Sequence, residues 1–434
     1  MKILYSLLIL LLLSIGVSAE PQLTMQQILD ISIERDFSLK SADYELDISK
    51  QDYYYSKSLR YPSLSLSAVS FYNSETAVID IPVMNQSIET GSNDNYQIDL
   101  KMSVPLFTGG KLTNQIKMGK ERLNASQYNY QAQKMRLAYK VRQAFLSYLT
   151  SRKMYQSSVA SLSRIEIVLN DIKNLYKNGM ADSLDVLEAE LARVNVNEAI
   201  IKTKTAVEQS SILLKKYLGW QSEKELNIVD SLNWPEFDNA IPNESNNRAE
   251  LMIYKHNIQA LEKMTSLKKA GYFPDISAYI GYSYGMPNKQ MVDPQWNDNY
   301  IAGIGLNWSL NLGGATGHSV SSARAQMESV KMAQEELTES LIFQKNIALE
   351  KINEAVENIN IDYQKYDIAR EKYRLAREKH NQGTISVNRL LEIETELTSA
   401  EKIYQSAIIN YYLAENEYFY AVGSPKIFGG IEND

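Results

Sequence analysis

The chain has 434 residues, of which 44% are hydrophobic, and a formal net charge of −7. It contains no cysteine, which excludes disulfides, thiolate metal sites and a lipid on an N-terminal cysteine. The acidic balance argues against nucleic acid as a partner, because proteins that bind it present a basic surface to the phosphates. No segment after Ala19 has enough consecutive apolar residues for a membrane helix.

The first residues predict a secretory signal peptide over 1–19. Lys2 supplies the positive start, Ile3 to Ile15 is mostly apolar, and Val17-Ser18-Ala19 fits a small-residue cleavage site. A transmembrane anchor is the alternative, but the apolar run is short and ends at that cleavage site. We therefore expect the mature protein, residues 20–434, to leave the cytoplasm.

The mature chain opens with a predicted helix and two predicted strands. The helix runs from Thr24 to Arg60 and is stopped by Pro62. A strand follows from Ser63 to Tyr72, and 73–95 is expected to be a polar loop. Residues 96–104 alternate strictly between apolar and polar side chains, which is typical of a strand with two different faces.

Two stretches of the chain then share one plan, separated by 204 residues. The paired glycines are Gly109 and Gly313, Gly179 and Gly383, and Gly219 and Gly423. The offset never changes, as expected for packed helices, since one extra residue would rotate everything after it by about 100°. We predict two equal helical hairpins, with repeat one at 24–219 and repeat two at 248–423.

The prolines indicate where the long helices lie. None of the ten prolines falls between Leu106 and Trp234 or between Gln295 and Ser424. Each hairpin is predicted to have a long helix followed by a return helix. The long helices are expected at Lys111–Tyr176 and up to His380, and the return helices at Ser183–Leu218 and Ser386–Ala421. Residues 220–247 are expected to form an irregular insert, and 424–434 a C-terminal tail.

The second half repeats the order of helix and strands. A helix is predicted at 249–272, followed by strands at 276–284 and 300–310, with a loop at 285–298. The four predicted strands have the length of outer-membrane barrel strands, but four strands leave two open edges and are too few for a barrel. We therefore expect the chain to pool strands with copies of itself. Two amphipathic hairpins on a periplasmic structural coiled coil without a barrel are the alternative.

The sequence offers little chemistry for catalysis. His256, His318 and His380 lie far apart without metal-ligand spacing, and we interpret all three as surface or lumen residues. The segment Phe107–Lys111 resembles a phosphate loop only faintly, since it lacks the earlier glycine and the Ser or Thr after lysine. We predict no enzyme activity, no metal site and no cofactor. In the first return helix, Leu184, Leu187, Leu191 and Val194 are spaced as in a coiled-coil seam.

Several motifs together resemble the TolC-like outer-membrane efflux protein family, over nearly the whole mature chain. They are the two Pro-then-strand entries at Pro62 and Pro274, the run Val104-Pro105-Leu106-Phe107-Thr108-Gly109-Gly110, the tip Tyr176 to Ala189, and its weaker partner His380 to Val387. The resemblance implies a mainly α-helical fold with a β-barrel part. Long antiparallel coiled-coil helices would form a trimeric α-barrel tube, and four strands per subunit would contribute to a 12-stranded outer-membrane β-barrel.

The same resemblance implies a function and partners. The chain would be the outer-membrane exit duct of a tripartite efflux or type I secretion system, extending into the periplasm. Its partners would be two further copies, a periplasmic adaptor protein, an inner-membrane transporter and outer-membrane lipid. A passive porin is a third possibility, but porins do not need long helices.

The candidate site residues fall into three groups. The strand-to-helix transitions are Pro62, Pro105, Gly109, Gly110, Pro274, Gly313 and Gly314. The tips expected to face an adaptor are Gly179, Met180, Ala181, Gly383, Thr384 and Ile385. The periplasmic gate is assigned to Asp185, Glu188, Arg389 and Glu392. The glycines of the tips are expected in the left-handed region, with their neighbours exposed.

The gate departs from the pattern that the resemblance implies. In this family the second-repeat tip often carries acidic residues at both gate positions, forming two rings. Glu392 fits, whereas Arg389 does not, and His380 and Ile385 stand where polar gate partners would be. One hypothesis is a mixed belt in which Arg389 pairs with Glu392 or with Asp185 of the neighbouring hairpin. The alternative is a set of solvent-facing charges on a helix end.

Overall fold

The structure is a computed structural model that describes residues 23–82, 86–221, 226–228, 232, 248–287 and 295–429. The predicted signal peptide and most of the predicted insert lie outside these residues, as do the last residues of the tail. The helices are α1 Met25–Arg35, α2 Phe37–Ser58, α3 Lys111–Lys177, α4 Ser183–Leu218, α5 Ala249–Lys269, α6 Ala315–Asn381 and α7 Val387–Val422. The strands are β1 Ser63–Tyr72, β2 Ala77–Ile81, β3 Gln86–Thr90, β4 Asp94–Phe107, β5 Asp275–Met286 and β6 Asn297–Asn307. Short 3-10 turns occupy Ala270–Tyr272 and Pro425–Phe428.

The two helical hairpins have matching lengths, which confirms the predicted repeat. The long helices α3 and α6 have 67 residues each, and the return helices α4 and α7 have 36 each. Both ends of both helices keep the offset of 204 residues. Each return helix ends at a glycine in the left-handed region, Gly219 at φ 64° and Gly423 at φ 73°.

The prediction of one helix from Thr24 to Arg60 is wrong, because the chain breaks at Asp36. Asp36 has an extended backbone, and its amide donates to the Ser32 carbonyl at the end of α1. Its side chain accepts a hydrogen bond of 2.7 Å from the Leu39 amide, so it caps the start of α2. One aspartate therefore ends one helix and begins the next.

The strands form a four-stranded antiparallel sheet in the order β1-β4-β5-β6. The register aligns apolar side chains on one face. One row across the four strands is Leu66, Leu100, Tyr282 and Tyr300. The alternate row on the other face is Ser67, Asp99, Ser283 and Asn299. Four strands with alternating apolar and polar side chains were predicted, and both features are confirmed.

The apolar face of the sheet is exposed, which is unusual for a protein in water. The apolar side chains are exposed, with Leu66 at 71% and Tyr300 at 73%. On the polar face, Asp99 accepts hydrogen bonds from Gln97 at 2.7 Å and from Ser283 at 2.5 Å. In a water-soluble protein the apolar face would be covered, whereas a barrel in lipid turns it outward.

Three details of the strand prediction are wrong. The segment 73–95, expected to be a polar loop, contains the antiparallel hairpin β2–β3. Strand β6 ends at Asn307, so Trp308 and Leu310 lie beyond it. The predicted loop at 285–298 is also shorter than expected, since β5 continues to Met286 and β6 begins at Asn297.

The chain divides into two compact units. The first comprises the described residues of Met1–Ala42, Tyr130–Ala249 and Thr338–Asp434, and the second those of Asp43–Asn129 and Glu250–Leu337. The first unit holds the largest apolar cluster, in which α1 packs against α3, α4 and α7. Its fully buried members include Met25, Ile28, Leu29, Phe145, Leu146, Leu214 and Leu218. Ile427 of the C-terminal 3-10 turn is buried in the same cluster.

The second unit contains the sheet and the strand-to-helix transitions. Gly109 and Gly110 have φ of 57° and 84°, and Gly314 has φ of 72°. A Cβ on Gly109 would lie 2.7 Å from the Phe273 Cβ and 2.9 Å from the Ala270 carbonyl oxygen. The backbone can therefore pass from β4 towards α3 only if residue 109 has no side chain.

We expect Gly109→Ala to impair folding and membrane assembly, because it combines a left-handed backbone with a close contact to Phe273. Gly313→Ala is the matched control, since Gly313 holds the same place in repeat two and a Cβ there meets nothing within 4 Å. The two variants are compared by the amount of folded protein that is recovered in the membrane fraction. Equal recovery would contradict this account of the transition.

None of the described helices has the length and apolar character that a membrane-crossing helix needs.

Candidate functional site at the helical tips

The two hairpin turns have the same backbone geometry. In the first, the Met180 amide donates to the Leu175 carbonyl at 2.9 Å, and Gly179 has φ 73°. In the second, the Thr384 amide donates to the Lys379 carbonyl at 2.9 Å, and Gly383 has φ 71°. These are Schellman-type endings, in which only glycine adopts the left-handed position without strain. The predicted conformation of both glycines is confirmed.

Equivalent residues begin the two return helices. Asp182 caps α4 through a hydrogen bond from the Leu184 amide, and its own amide donates to Asp185 at 3.2 Å. Ser386 caps α7 by accepting from the Arg389 amide at 3.3 Å. The carboxylate of Asp185 therefore accepts a hydrogen bond at the start of α4. The positive end of the helix dipole stabilises its negative charge there.

The expected exposure of the tips holds for two of the four side chains. Met180 is 68% exposed and Thr384 is exposed. Ala181 and Ile385 are half-buried, so the prediction that they lie exposed is wrong. Ile385 packs against the apolar cluster that joins the hairpins, because the turn folds back over it.

That apolar cluster, here called the tip cluster, contains residues from all four helices of the two hairpins. Its buried members are Val168, Leu169, Ile172, Ala189, Ala376, Val387, Leu390, Leu391 and Ile393. The two hairpins are therefore packed together at their ends.

The interpretation of all three histidines as surface or lumen residues is wrong for His380. His318 is exposed. His380 is buried at 8% exposure, with Nδ1 3.4 Å from the Ile385 carbonyl, because the turn closes over it. In the second unit, His256 is half-buried, with Nδ1 2.8 Å from Glu121 and its ring stacked on Tyr128.

All four predicted gate residues form contacts near the tips, and that of Asp185 is with the Asp182 amide. Arg389 donates to Glu392 at 2.7 Å along α7, with both side chains at least half exposed. This hydrogen bond with Glu392 is the main cause of a raised pKa at Arg389. Glu188 of α4 accepts from Asn388 of α7 at 2.6 Å, which links the two return helices. Two partners were expected for Arg389, and the one that it binds in the structure is Glu392.

A buried charge network, which was not predicted from the sequence, lies further from the tips than these gate residues. Glu394 is 1% exposed and accepts from Ser161 at 2.9 Å, Arg164 at 3.1 Å and Thr398 at 2.7 Å. Arg164 also donates to Glu401 at 3.5 Å. A glutamate at a core position among Leu390, Ile393 and Leu397 was the available signal.

The exposed leucines of α4 are the other unexpected feature. Leu184, Leu187 and Leu191 are about 60% exposed, and Val194 continues the row at 56%. Their spacing fits the predicted coiled-coil seam, but within the described residues this face is not covered.

Long repeated helical hairpins together with a sheet whose apolar face is exposed define an outer-membrane channel subunit with an α-helical part. The profile of the outer membrane efflux protein family matches residues 28–220 and 240–423. This chain therefore belongs to the outer membrane efflux protein family.

Known proteins agree with this assignment. The chain is 25% identical over 152 residues to the outer membrane efflux protein BepC of Brucella suis biovar 1 (strain 1330). That match covers 34% of this chain and only 32% of BepC. The fold is similar to that of CusC, a protein studied for transmembrane channel formation, with a TM-score of 0.79, 14% identity and 92% of each chain covered. The outer membrane protein VceC from Vibrio cholerae gives a TM-score of 0.78 at 14% identity, covering 92% of this chain and 96% of VceC.

Proposed function

We propose that the protein is the outer-membrane exit duct of a tripartite efflux or type I secretion system. The observation that carries the proposal is the sheet. Its apolar face is exposed, its polar face is hydrogen-bonded, and the outer edges of β1 and β6 have no partner among the described strands. Open edges cannot face lipid, and four strands are too few to close a barrel.

Three copies would supply the twelve strands of a closed barrel, with the apolar face towards lipid and the polar face towards the lumen. The helical hairpins would then extend into the periplasm, where an adaptor protein and an inner-membrane transporter deliver the substrate. The duct conducts passively. An exposed apolar sheet face supports this proposal over a periplasmic coiled-coil scaffold, which would have to cover that face.

Fractionation and mass measurement test the proposal. We expect the protein to resist high-salt washing of outer membranes, to need detergent for extraction, and to have three times the mass of the mature chain in mild detergent. Salt extraction, or a well-folded monomer with full strand content, would overturn it.

We also propose that Arg389 and Glu392 contribute to the gate of the duct. In a threefold assembly each pair would be present three times around the axis, forming a belt of alternating charge. The observed bond between them is one of the two pairings of the mixed belt, and the exposure of both side chains also fits the alternative of solvent-facing charges on a helix end. Asp185 caps its own helix and Glu188 binds Asn388, so both support the mouth of the gate.

Replacing Arg389 and Glu392 together with alanine should raise the single-channel conductance in planar bilayers and weaken block by multivalent cations, because the belt is removed. Replacing Arg374 and Glu371, an ion pair on the exposed face of α6, is the matched control. Conductance and block equal to wild type in the Arg389 and Glu392 variant would place the gate elsewhere.

A further inference from the structure

The first compact unit contains a groove bordered by four helices. Its volume is about 880 Å³. The lining residues come from the end of α1, the start of α2, an inner stretch of α3 and the C-terminal end of α4, and all of them belong to the first unit. None of the residues assigned to the tips, the gate or the strand-to-helix transitions lines this groove. It is therefore separate from the sites described above.

The groove is cationic although the chain is acidic. Five cationic side chains and two carboxylates line it, which gives a net charge of +3 in a chain whose formal net charge is −7. The cations are Arg35, Lys40, Arg136, Lys140 and Lys216, and the carboxylates are those of Glu34 and Asp36. We call this feature the cationic groove.

Helical spacing brings the α3 part of the cationic groove onto one face. Its residues are three or four positions apart, at Gln133, Arg136, Leu137 and Lys140. Leu137 is buried in the largest apolar cluster, and Tyr217 of α4 packs against the same cluster. Arg136 and Lys140 are exposed, and their Cβ atoms are roughly 6 Å apart because they are four residues apart on a helix. The groove therefore has apolar surface next to its charges.

Most of these cations have no partner in the part of the chain that the structure describes. No side-chain ion pair or hydrogen bond within it involves Lys40, Arg136, Lys140 or Lys216. Arg35 differs, since it donates to the Gly219 carbonyl at 3.2 Å and so joins the end of α1 to the end of α4. Four positive charges thus converge on one concave surface without a neutralising contact.

The two carboxylates of the groove do not pair with these cations. Asp36 accepts a hydrogen bond of 2.7 Å from the Leu39 amide, and Glu34 forms no ion pair with any described residue. On the exposed face of α6, by contrast, Arg374 binds Glu371. The positive charge of the groove is therefore available to an anion from outside the chain.

The size and composition of the groove indicate the class of ligand. Its volume lies in the range of small-molecule sites and far exceeds what a single inorganic ion fills. Lysine is depleted in protein interfaces, but it binds phosphate and carboxylate groups as a point charge. Arg136 can bind one such group through two N–H donors. This composition favours an organic anion over a protein partner.

We propose that the cationic groove binds a small organic anion that carries at least two phosphate or carboxylate groups and an apolar part. Arg136 and Lys140 bind neighbouring anionic groups, Lys40 adds a further charge from α2, and the apolar part contacts Leu137 and Tyr217. The proposal does not depend on the duct, because every residue of the groove lies in one compact unit of a single chain.

Isothermal titration calorimetry of the full-length protein in mild detergent tests the proposal. The probes are tripolyphosphate, citrate and benzene-1,3,5-tricarboxylate. We expect saturable binding at low ionic strength that weakens as salt is added. The benzene tricarboxylate should bind more tightly than citrate, because its ring can contact Leu137 and Tyr217. The comparison of tripolyphosphate with citrate shows whether phosphate or carboxylate is the preferred group.

Arg136→Gln with Lys140→Gln should weaken binding of the probes at least about fivefold, because the net charge of the groove falls from +3 to +1. Lys117→Gln with Lys120→Gln is the matched control, since it removes two exposed lysines of α3 that lie outside the groove. The control should bind within about twofold of the wild-type protein. Circular dichroism checks that both variants are folded.

The absence of saturable binding of all three probes to the wild-type protein would overturn the proposal. Equal weakening in the control variant would also overturn it, because the probes would then respond to surface charge in general. Equal binding of the two tricarboxylates would refute the apolar part. If the Arg136 and Lys140 variant does not fold, Lys40→Gln with Lys216→Gln tests the groove from α2 and α4, and unchanged binding there would contradict the proposed site.

Discussion

Replacing Arg164 with leucine should strongly destabilise the packing of the two hairpins. Glu394 would lose its cationic partner at a site that is 1% exposed. Removing one partner of a buried ion pair costs about 3–5 kcal/mol, and we expect about 3 kcal/mol because Arg164 itself retains some exposure to water. Thermal unfolding followed by circular dichroism at one fixed scan rate measures the effect, since such proteins often unfold irreversibly.

A second substitution should rescue this variant. Arg164→Leu with Glu394→Leu removes both charges, and well-packed apolar residues can replace a buried ion pair at little cost. The hydroxyl groups of Ser161 and Thr398 can turn to carbonyl groups of their own helices. We therefore expect the double variant to unfold at a higher temperature than Arg164→Leu alone.

Arg374→Leu is the control, because Arg374 binds Glu371 and Glu378 on an exposed helix face and should tolerate the change. If Arg164→Leu and Arg374→Leu unfold at the same temperature, the buried network does not hold the hairpins together.

The helices were predictable because the two repeats carry equivalent residues at a constant offset of 204 positions. Glycines at equal offsets mark the turns, and the bounds of α4 at Ser183 and Leu218 agree with the prediction. The break at Asp36 was harder to predict, since an aspartate inside an otherwise helical segment is common and only its capping bond to Leu39 separates α1 from α2.

The sheet was predictable where alternation is strict, as in β4 from Tyr96 to Val104. The hairpin β2–β3 was missed because a polar segment with turn-forming residues also fits a loop, and backbone pairing such as that of Asp80 with Ser87 leaves little apolar signal.

Burial at the tips could not be derived from residue type alone. His380 is polar, but the turn at Gly383 folds over it. Leu187 is apolar, but none of the described residues covers it, so it is exposed. In both cases burial depends on whether another element packs over the residue, which a periodic pattern does not identify.

Charging the exposed tips should abolish export while leaving the duct assembled. Met180 and Thr384 are the exposed members of the two turns, and Met180 is an adaptable apolar contact of the kind found at protein interfaces. If the tips bind an adaptor, as the resemblance implies, Met180→Arg with Thr384→Arg should disrupt that contact, and loss of one hot spot worth about 2 kcal/mol weakens binding roughly 30-fold. The measurement is intracellular accumulation of a toxic compound whose level rises when this protein is deleted.

The control variant carries the same added charge away from the tips, at Gln344→Arg and Asn346→Arg on an exposed stretch of α6. It should export normally. Met180→Leu with Thr384→Ser should also export, because it keeps an apolar side chain at 180 and the hydroxyl that donates to the Lys379 carbonyl at 2.8 Å. Both charged variants must appear as trimers in the outer membrane at the wild-type level, so that lost export reports docking and not folding. Normal export by the tip variant at that level would show that the adaptor does not bind the two turns.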